Sequence, residues 1–551
     1  MDTPHLEVVE GAAKRIMPIG QQPITVGRHS DNRLVLADAK SSRFHCVFEP
    51  TADGWQLRDL GSSNGTYLNN KPVKQSVLTK GDVVVIGSTR IFVNIPEPEP
   101  EIIEDVELEE IVEDDVVQME DPNIDPVTKL QRMAGSLADA GLTEADISLM
   151  NARNQIIHPG RVALARKPGA APDIVDILRN LLLVCFRSKA SDIHIEPKSD
   201  DCQIRTRVDG NMVEVLRCGK DVGTRLTAVV KILCDIDIAQ RNIVQEGHFS
   251  VKLPDRRVDY RISFAPAMHG QKLVIRVLDT AGAPQYLWDL NMAQPLFKTV
   301  QDAIQKESGS ILVVGPTGSG KTTTLYAFVR SMDSGERNIV TIEDPVEIQI
   351  EGVTQIPVTE DNTFATLLKS VLRQDPDAIL VGEIRDAETA RTAMQAAMTG
   401  HLVFSTLHSK DTVGALFRLI DLGVEPYLVA SGLQVILAQR LVRRLCSACK
   451  KPIKPTGNQI ERMAQWGDVK KIYEPVGCPR CLGTGFTGRQ CVFELLNMND
   501  QLRDITMRSP NLPDIQRALV DTNFTSLQQS GYRLVAEGVT SFTEVDRAVG
   551  V

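Results

Sequence analysis

A chain of 551 residues, 42% of them hydrophobic and 24% charged, is too long for one hydrophobic core and implies three or four ordinary water-soluble domains. Its best apolar run, Leu181 to Phe186, falls far short of the roughly eighteen residues a membrane helix needs, and the opening MDTPHLEVVEG lacks the apolar stretch of a secretory leader; a cytoplasmic protein with no direct membrane span is expected. The net charge of −10 is concentrated, because Pro96 to Asp125 holds fourteen acidic residues and no Lys or Arg; the remainder then carries about +4, which gives no reason to expect nucleic acid as a partner.

Residues 1–95 read as short strands cut by turns: ITVGR, NRLVLAD, FHCVFEP, GWQLRDL, TYLNN, DVVVIG and RIFVNI, with Asp-Gly at 53–54 and Asn-Gly at 64–65 among the breaks. Many turn-bounded strands without helices between them predict a β-sandwich. Gly27-Arg28, Ser42-Arg43-Phe44-His45, Ser63-Asn64-Gly65-Thr66 and Asn69 together resemble a forkhead-associated (FHA) domain over its whole length. The resemblance implies a phosphothreonine-containing protein as partner. Arg28 and Ser42 would take the phosphate through charge-assisted hydrogen bonds, Ser63 and Asn64 would hold the peptide backbone, and Arg43 belongs to the same binding set. His45 would support the loop. The bland alternative is a sandwich that no longer binds phosphate.

From Pro96 the composition becomes PEPEPEIIEDVELEE, which cannot bury a core, so 96–128 is expected to be an acidic disordered linker. No Ser or Thr occurs between 96 and 125, so that segment cannot be the phosphorylated target. A short helical connector is expected over 129–168. An α+β domain follows over 169–290, opening with the helix pattern IVDILRNLLLVCF and continuing through strands in DCQIRTRVDG and RRVDYRISFAP.

Over 291–551 strand and helix alternate, which predicts an α/β domain with a largely parallel sheet. The apolar strand ILVVG runs into Gly315-Pro316-Thr317-Gly318-Ser319-Gly320-Lys321-Thr322, a full GxxxxGKT followed by a helix that begins at Thr322-Thr323. Glycines let backbone N–H groups close round phosphates, Lys321 can reach the β- and γ-phosphates, and the Thr322 hydroxyl can ligate Mg²⁺. Downstream, TIEDPVE sets Glu343 and Asp344 after one strand and DAILVGEIRD sets Glu383 after another. HLVFSTLHS sets His401 and His408 at the two ends of a third. Each alone is an ordinary strand end; strung behind a phosphate loop they describe an ATPase.

The run from about 173 to 500 resembles the secretion ATPases of type II secretion and type IV pilus assembly, on ASDIHIEP, GPTGSGKTTT, TIEDPVE, LRQDPDAILVGEIRD and TGHLVFSTLHS in that order. The resemblance implies a RecA-like hydrolase of Mg·ATP working as a homohexamer against an inner-membrane platform protein. Glu343 would orient or deprotonate the attacking water, and Glu383 would take the Walker B role toward Mg²⁺. His408 would sense the γ-phosphate, and Arg261 and Arg276 would neutralise phosphate charge. Two positions depart from the family pattern: Gln271 follows Gly270 where Glu is usual, and Lys410 precedes Asp411 where Asn is common. Neither removes a catalytic group.

Cys446-Ser-Ala-Cys449 and Cys478-Pro-Arg-Cys481 are two CxxC turns separated by 28 residues, the spacing of a closed four-cysteine Zn²⁺ site within a small insertion near 440–495. The same insertion marks assembly-type members of the family the chain resembles. Two other readings are a motor for DNA uptake or conjugative transfer and a phospho-dependent scaffold that binds nucleotide without turnover.

Overall fold

The computed structural model describes residues 5–95 and 124–550, except 11–12, 20–22, 52–53, 70, 79–80, 138–140, 161–172, 280–281, 333, 468, 509, 521 and 523. The expected acidic linker lies largely outside the described residues. Two units separate within it, Met1–Glu113 and Asp114–Val551. Among the described residues no helix is long and apolar enough to cross a membrane.

The first unit is a β-sandwich. One sheet runs in the order Ala13–Pro18, His5–Glu10, Thr89–Asn94, Val83–Ile86, Thr66–Leu68, Lys71–Val73. The other runs Leu34–Val35, Ile24–Gly27, Cys46–Thr51, Gly54–Asp59, Gln75–Leu78. Period-two alternation sends Leu6, Val8, Ile24, Val26, Phe48 and Ile91 into one shared core, all fully buried. Each of the seven expected strand segments contributes a strand. Four further strands, at His5–Glu10, Ala13–Pro18, Lys71–Val73 and Gln75–Leu78, were not anticipated.

The second unit opens with an eight-stranded antiparallel sheet ordered Ile156–His158, Ser148–Met150, Gln245–Lys252, Arg257–Ala267, Gly270–Leu278, Asp192–Pro197, Asp201–Val208, Asn211–Gly219. The segment expected as a helical connector is only partly helical. Pro126–Ser136 forms a helix, but 148–158 is a hairpin that pairs antiparallel with Gln245–Lys252. Val127, Leu130, Ile147 and Leu149 join the core of the α+β lobe, so this segment belongs to that lobe. Helix Ile174–Ser188 starts on Asp173, whose carboxylate accepts the Val175 N–H, and ends at Lys189 in the left-handed region. Together with helix Lys220–Leu233 it covers the sheet face that carries Ile193, Ile195, Ile204, Ile262 and Ile275.

The ATPase lobe is a seven-stranded sheet ordered Thr354–Pro357, Ile339–Glu343, Ala378–Val381, Leu402–Leu407, Gly309–Val314, Leu433–Leu445, Phe486–Asn497. All its pairings are parallel except the last, where Leu433–Leu445 and Phe486–Asn497 form a long antiparallel ribbon. Helices cover both faces, so Gly309–Val314, Ala378–Val381 and Leu402–Leu407 are buried at every position and read as mostly apolar runs, broken only by the hydroxyls Ser310, Ser405 and Thr406. Connections leave the carboxyl ends of these strands, and that edge carries the motifs.

Candidate functional site

The phosphate loop leaves the central strand at Gly315. Close packing forces glycine there, because a Cβ would meet the Gln439 carbonyl oxygen at 2.7 Å and Ser319 Oγ at 2.6 Å, and φ is +154°. Gly318 and Gly320 also adopt positive φ (+79° and +88°), and Gly320 caps the helix Lys321–Arg330. That helix directs its free N–H groups and positive dipole end at the loop. Gln439, fully buried on the neighbouring strand, donates from Nε2 to the Ser319 carbonyl at 2.6 Å and fixes the far side. Lys321 Nζ donates to the Gly315 and Pro316 carbonyls at 3.0 and 3.1 Å. Burial pulls its ammonium below the usual lysine range, and the Glu383 carboxylate works in the opposite direction.

Glu383 follows the strand Ala378–Val381. It pairs with Arg385 and lies 3.7 Å from His408 Nε2 at the carboxyl end of the next strand. His401 sits at the opposite end of that strand, where its Nδ1 donates to the Ala396 carbonyl at 3.2 Å and closes the end of helix Ala387–Met398. The two histidines therefore separate: His408 joins the site and His401 is structural.

Glu343 is buried under three donors. Thr341 Oγ1 (2.5 Å) and Gln355 Nε2 (3.0 Å) reach Oε1, and the Tyr326 hydroxyl reaches Oε2. Asp344 beside it is exposed and precedes a cis peptide to Pro345. Thr322 is exposed at the start of the helix, Thr323 follows it in the helix's first turn, and Thr317 lies in the loop ahead of Lys321.

Arg261 and Arg276 occupy one row across the α+β sheet. Register places Arg261 opposite Arg276, Arg276 opposite Asp192, and Asp192 opposite Arg207. Arg276 Nε donates to Asp192 at 3.1 Å, and Arg261 reaches Glu347 of the TIEDPVE segment at 3.4 Å. Both guanidinium groups are thus held by carboxylates on the sheet face opposite the helices.

Reading the sequence alone missed several contributors. Gln439, Tyr326 and Arg385 are three of them. Arg440, also buried, spans from the Gln439 carbonyl (2.9 Å) to the Lys410 carbonyl (2.6 Å). Only Arg385, inside VGEIRD, stood next to a recognised signal. Lys410 contributes a backbone carbonyl to this contact.

At the loops of the sandwich, the fully buried His45 ties two motif segments together. Its Nδ1 accepts the Ser42 N–H at 3.0 Å and its Nε2 donates to the Gly65 carbonyl at 3.1 Å. Burial pushes this imidazole below the usual histidine range and keeps it neutral. Ser42 Oγ accepts the Ser63 N–H at 3.0 Å, and Asn64 Nδ2 donates to the Lys40 carbonyl at 2.7 Å. Arg28 and Arg43 are exposed on the two segments that Gly27 brings together, since a Cβ there would meet the Arg43 carbonyl oxygen at 2.2 Å. Arg28, Ser42, Arg43, Ser63 and Asn64 therefore share one loop cluster.

The four cysteines converge. Their Sγ atoms all lie within 4.8 Å of one another, with Cys446–Cys478 and Cys449–Cys481 at 3.9 Å and Cys478–Cys481 at 3.7 Å.

A parallel sheet with a phosphate loop on its central strand, a lysine at that loop and a carboxylate on the next strand but one define a P-loop ATPase. The family model of the type II/IV secretion system protein matches residues 169–547, and the FHA domain model matches residues 24–87. The chain belongs to the type II/IV secretion system protein family, as a secretion and pilus-assembly ATPase with an FHA domain ahead of its motor. The "Type II secretion system protein E" of Klebsiella pneumoniae is 41% identical over 376 residues, covering 68% of this chain and 75% of that protein. The "Type IV pilus assembly ATPase PilB" of Myxococcus xanthus is 39% identical over 390 residues, covering 69% of each. The X-ray structure of the Legionella pneumophila ATPase DotB matches 69% of this chain and 97% of its own at a TM-score of 0.50 and 21% identity, a likeness of fold.

Proposed function

We propose that this ATPase works as a homohexamer on an inner-membrane platform protein, converting Mg·ATP hydrolysis into steps that extrude a pilin-like filament. Its FHA domain recruits or gates the motor through a phosphothreonine-containing partner. The observation that carries the catalytic reading is the meeting of Lys321, Glu383 and His408 at one edge of the sheet, around a loop that only glycine can form. The loop Gly315–Thr323 receives the phosphates. Thr322 and Glu383 hold Mg²⁺, which supplies charge neutralisation on the transferred phosphoryl group. His408 reads the γ-phosphate through its contact with Glu383. Glu343 positions the water, its carboxylate held by Thr341 and Gln355 at Oε1 and by Tyr326 at Oε2. Arg261 and Arg276 exchange Glu347 and Asp192 for phosphate oxygens.

In the FHA loops, Arg28 and Ser42 take the phosphate, and Arg43, Ser63 and Asn64 hold the peptide. The cysteines hold Zn²⁺ structurally. A tetrahedral ion with about 2.3 Å bonds to sulfur sets S···S edges of about 3.8 Å, and the observed 3.7–3.9 Å separations fit that ion. The domain limits that suit these roles are 1–95 for the reader, about 124–290 for the α+β lobe and 291–551 for the motor.

The test is phosphate release from Mg·ATP by the purified chain, sized by light scattering, beside Lys321→Ala and Glu343→Gln variants. Turnover by a ring that both substitutions abolish is expected. A nucleotide-bound ring without turnover would replace the motor with a phosphopeptide-gated scaffold. For the reader, Arg28→Ala with Ser42→Ala is expected to abolish phosphopeptide binding and spare hydrolysis; unchanged affinity would remove the assignment.

A further inference from the structure

The α+β lobe contains a cavity of about 360 Å³ on the face of its sheet covered by the helices, bounded by helix Lys220–Leu233, the segment 238–242 and the turn 266–271. Strand alternation separates it from the arginines of the motor. Ile195 and Pro197 line the cavity, whereas Asp192 and its partner Arg276 project from the opposite face of the same sheet. No residue of the phosphate loop or of the carboxylate segments lines it.

Its charge is one-sided. Lys220, Lys231 and Arg241 line it together with His269, and among the described residues no Asp or Glu does. Lys231 is 1% exposed, and its ammonium has one hydrogen-bond acceptor, the Gln240 carbonyl at 2.6 Å, with the Phe264 ring 5.5 Å away. A buried ammonium normally has a carboxylate partner, since burying an uncompensated charge is costly. The facing charges are Arg241, which repels Lys231, and Asp237, which attracts it from outside the lining; one oxygen of Asp237 is already taken by the Ala239 N–H at 2.9 Å. Gln271 adds a buried amide nitrogen, Nε2, with no acceptor. Pro197, Ile238 and Pro266 supply an apolar wall beside these donors.

Converging cations, an unsatisfied amide donor and an apolar wall describe a receptor for an oxyanion attached to a compact organic body. We propose that this cavity is a second ligand site, separate from the ATP site, for a small phosphate monoester no larger than a mononucleotide. Lys231 and Arg241 bind the phosphate, Gln271 donates to it, and the ring or sugar lies against Pro197, Ile238 and Pro266. The volume stands near the lower end of the roughly 300–1,000 Å³ typical of ligand pockets and exceeds what an inorganic phosphate fills.

The experiment is equilibrium dialysis of the full-length protein with its ATP site saturated by Mg·AMP-PNP, against inorganic phosphate, ribose 5-phosphate and GMP. One equivalent of ribose 5-phosphate or GMP per chain is expected, bound more tightly than inorganic phosphate. Arg241→Gln, Lys231→Met and Gln271→Glu should each weaken it about ten-fold or more, as loss of a charge-assisted bond or addition of a like charge does, with AMP-PNP affinity unchanged. Arg241 is exposed, so its variant decides the matter if Lys231→Met fails to fold. Absence of binding for all three probes, or binding that survives Arg241→Gln together with Gln271→Glu, would overturn the site. Inorganic phosphate binding as tightly as the esters would overturn the monoester assignment.

Discussion

Replacing Tyr326 by Phe removes one oxygen atom from the interior of the motor and tests how Glu343 is held. Tyr326 is 1% exposed, and its hydroxyl donates to Glu343 Oε2 and accepts the Glu347 N–H at 3.3 Å. Burial and the adjacent Glu343 carboxylate both raise its phenol well above the usual range, so it acts as a neutral donor. Phe keeps the ring in place, but Oε2 of a carboxylate that is 3% exposed loses its partner while Thr341 and Gln355 still serve Oε1. A hydrogen bond to a charged group contributes about 1.5–3 kcal/mol. Removing the buried hydroxyl offsets part of that, which leaves a net loss of about 2 kcal/mol. In a lobe of this size 1 kcal/mol moves the melting midpoint by roughly 2–4 °C, so a drop of about 4–8 °C is expected. Calorimetry of the full chain with Mg·AMP-PNP measures it, and steady-state phosphate release should show kcat falling with KM for ATP unchanged. A midpoint within one degree of the unsubstituted protein, with kcat intact, would refute the buried-donor account of Glu343.

Three further outcomes follow from particular contacts. Glu196 accepts from Lys198, Arg205 and Lys272; burial opposes ionisation, but the three cations outweigh it and hold the carboxyl at about 2. Its folded value lies below its unfolded one, so the stability it contributes is complete above about pH 4.5 and is lost as the pH falls toward 2. Urea unfolding of Glu196→Gln should differ from the parent by about 1–2 kcal/mol at neutral pH and converge with it near pH 2. His45 is depressed in the same sense, so the melting transition of the FHA unit should drop as pH falls below about 6.5, where the unfolded imidazole protonates first, and His45→Gln should flatten that dependence. Atomic absorption should find one zinc per chain. Cys478→Ser with Cys481→Ser should remove it and lower the motor's unfolding midpoint, because metal binding at a closed site is folding energy; full zinc content in that variant would refute the site.

What could be read from sequence had a local physical cause. The phosphate loop announces itself because positive-φ glycines and a lysine must fall at fixed spacing, and the two CxxC turns because each must present paired thiolates. The parallel strands are similarly plain, since burial on both faces makes them predominantly apolar, with only small hydroxyls and Glu343 interrupting. The losses were non-local. The strands SLM and IIH are three residues each, and Ser148–Met150 pairs with a segment about a hundred residues away, so nothing nearby distinguishes them from a loop. The strand Leu433–Leu445 buries both Gln439 and Arg440, and two consecutive polar residues carry no local sign of that burial. Glu343 stands in a legible motif, yet its environment comes from Tyr326 and Gln355 on two other elements, and no local pattern reveals that it is enclosed.

The antiparallel ribbon has a mechanical consequence. Near the middle of one strand, Gln439 grips the phosphate loop through Ser319. At the far end of the ribbon Leu445 pairs with Phe486, and two residues on, the Gly488 N–H donates to Asp209 at 2.6 Å, at the tip of a hairpin from the α+β lobe. Just upstream, the cysteine knuckle at Pro479 accepts from Ser136 Oγ at 3.3 Å, on the lobe's first helix. One antiparallel ribbon therefore touches the nucleotide loop at mid-length and the other lobe at its tip. Any shift of the loop that Gln439 transmits would reach the α+β lobe along one continuous hydrogen-bonded ribbon.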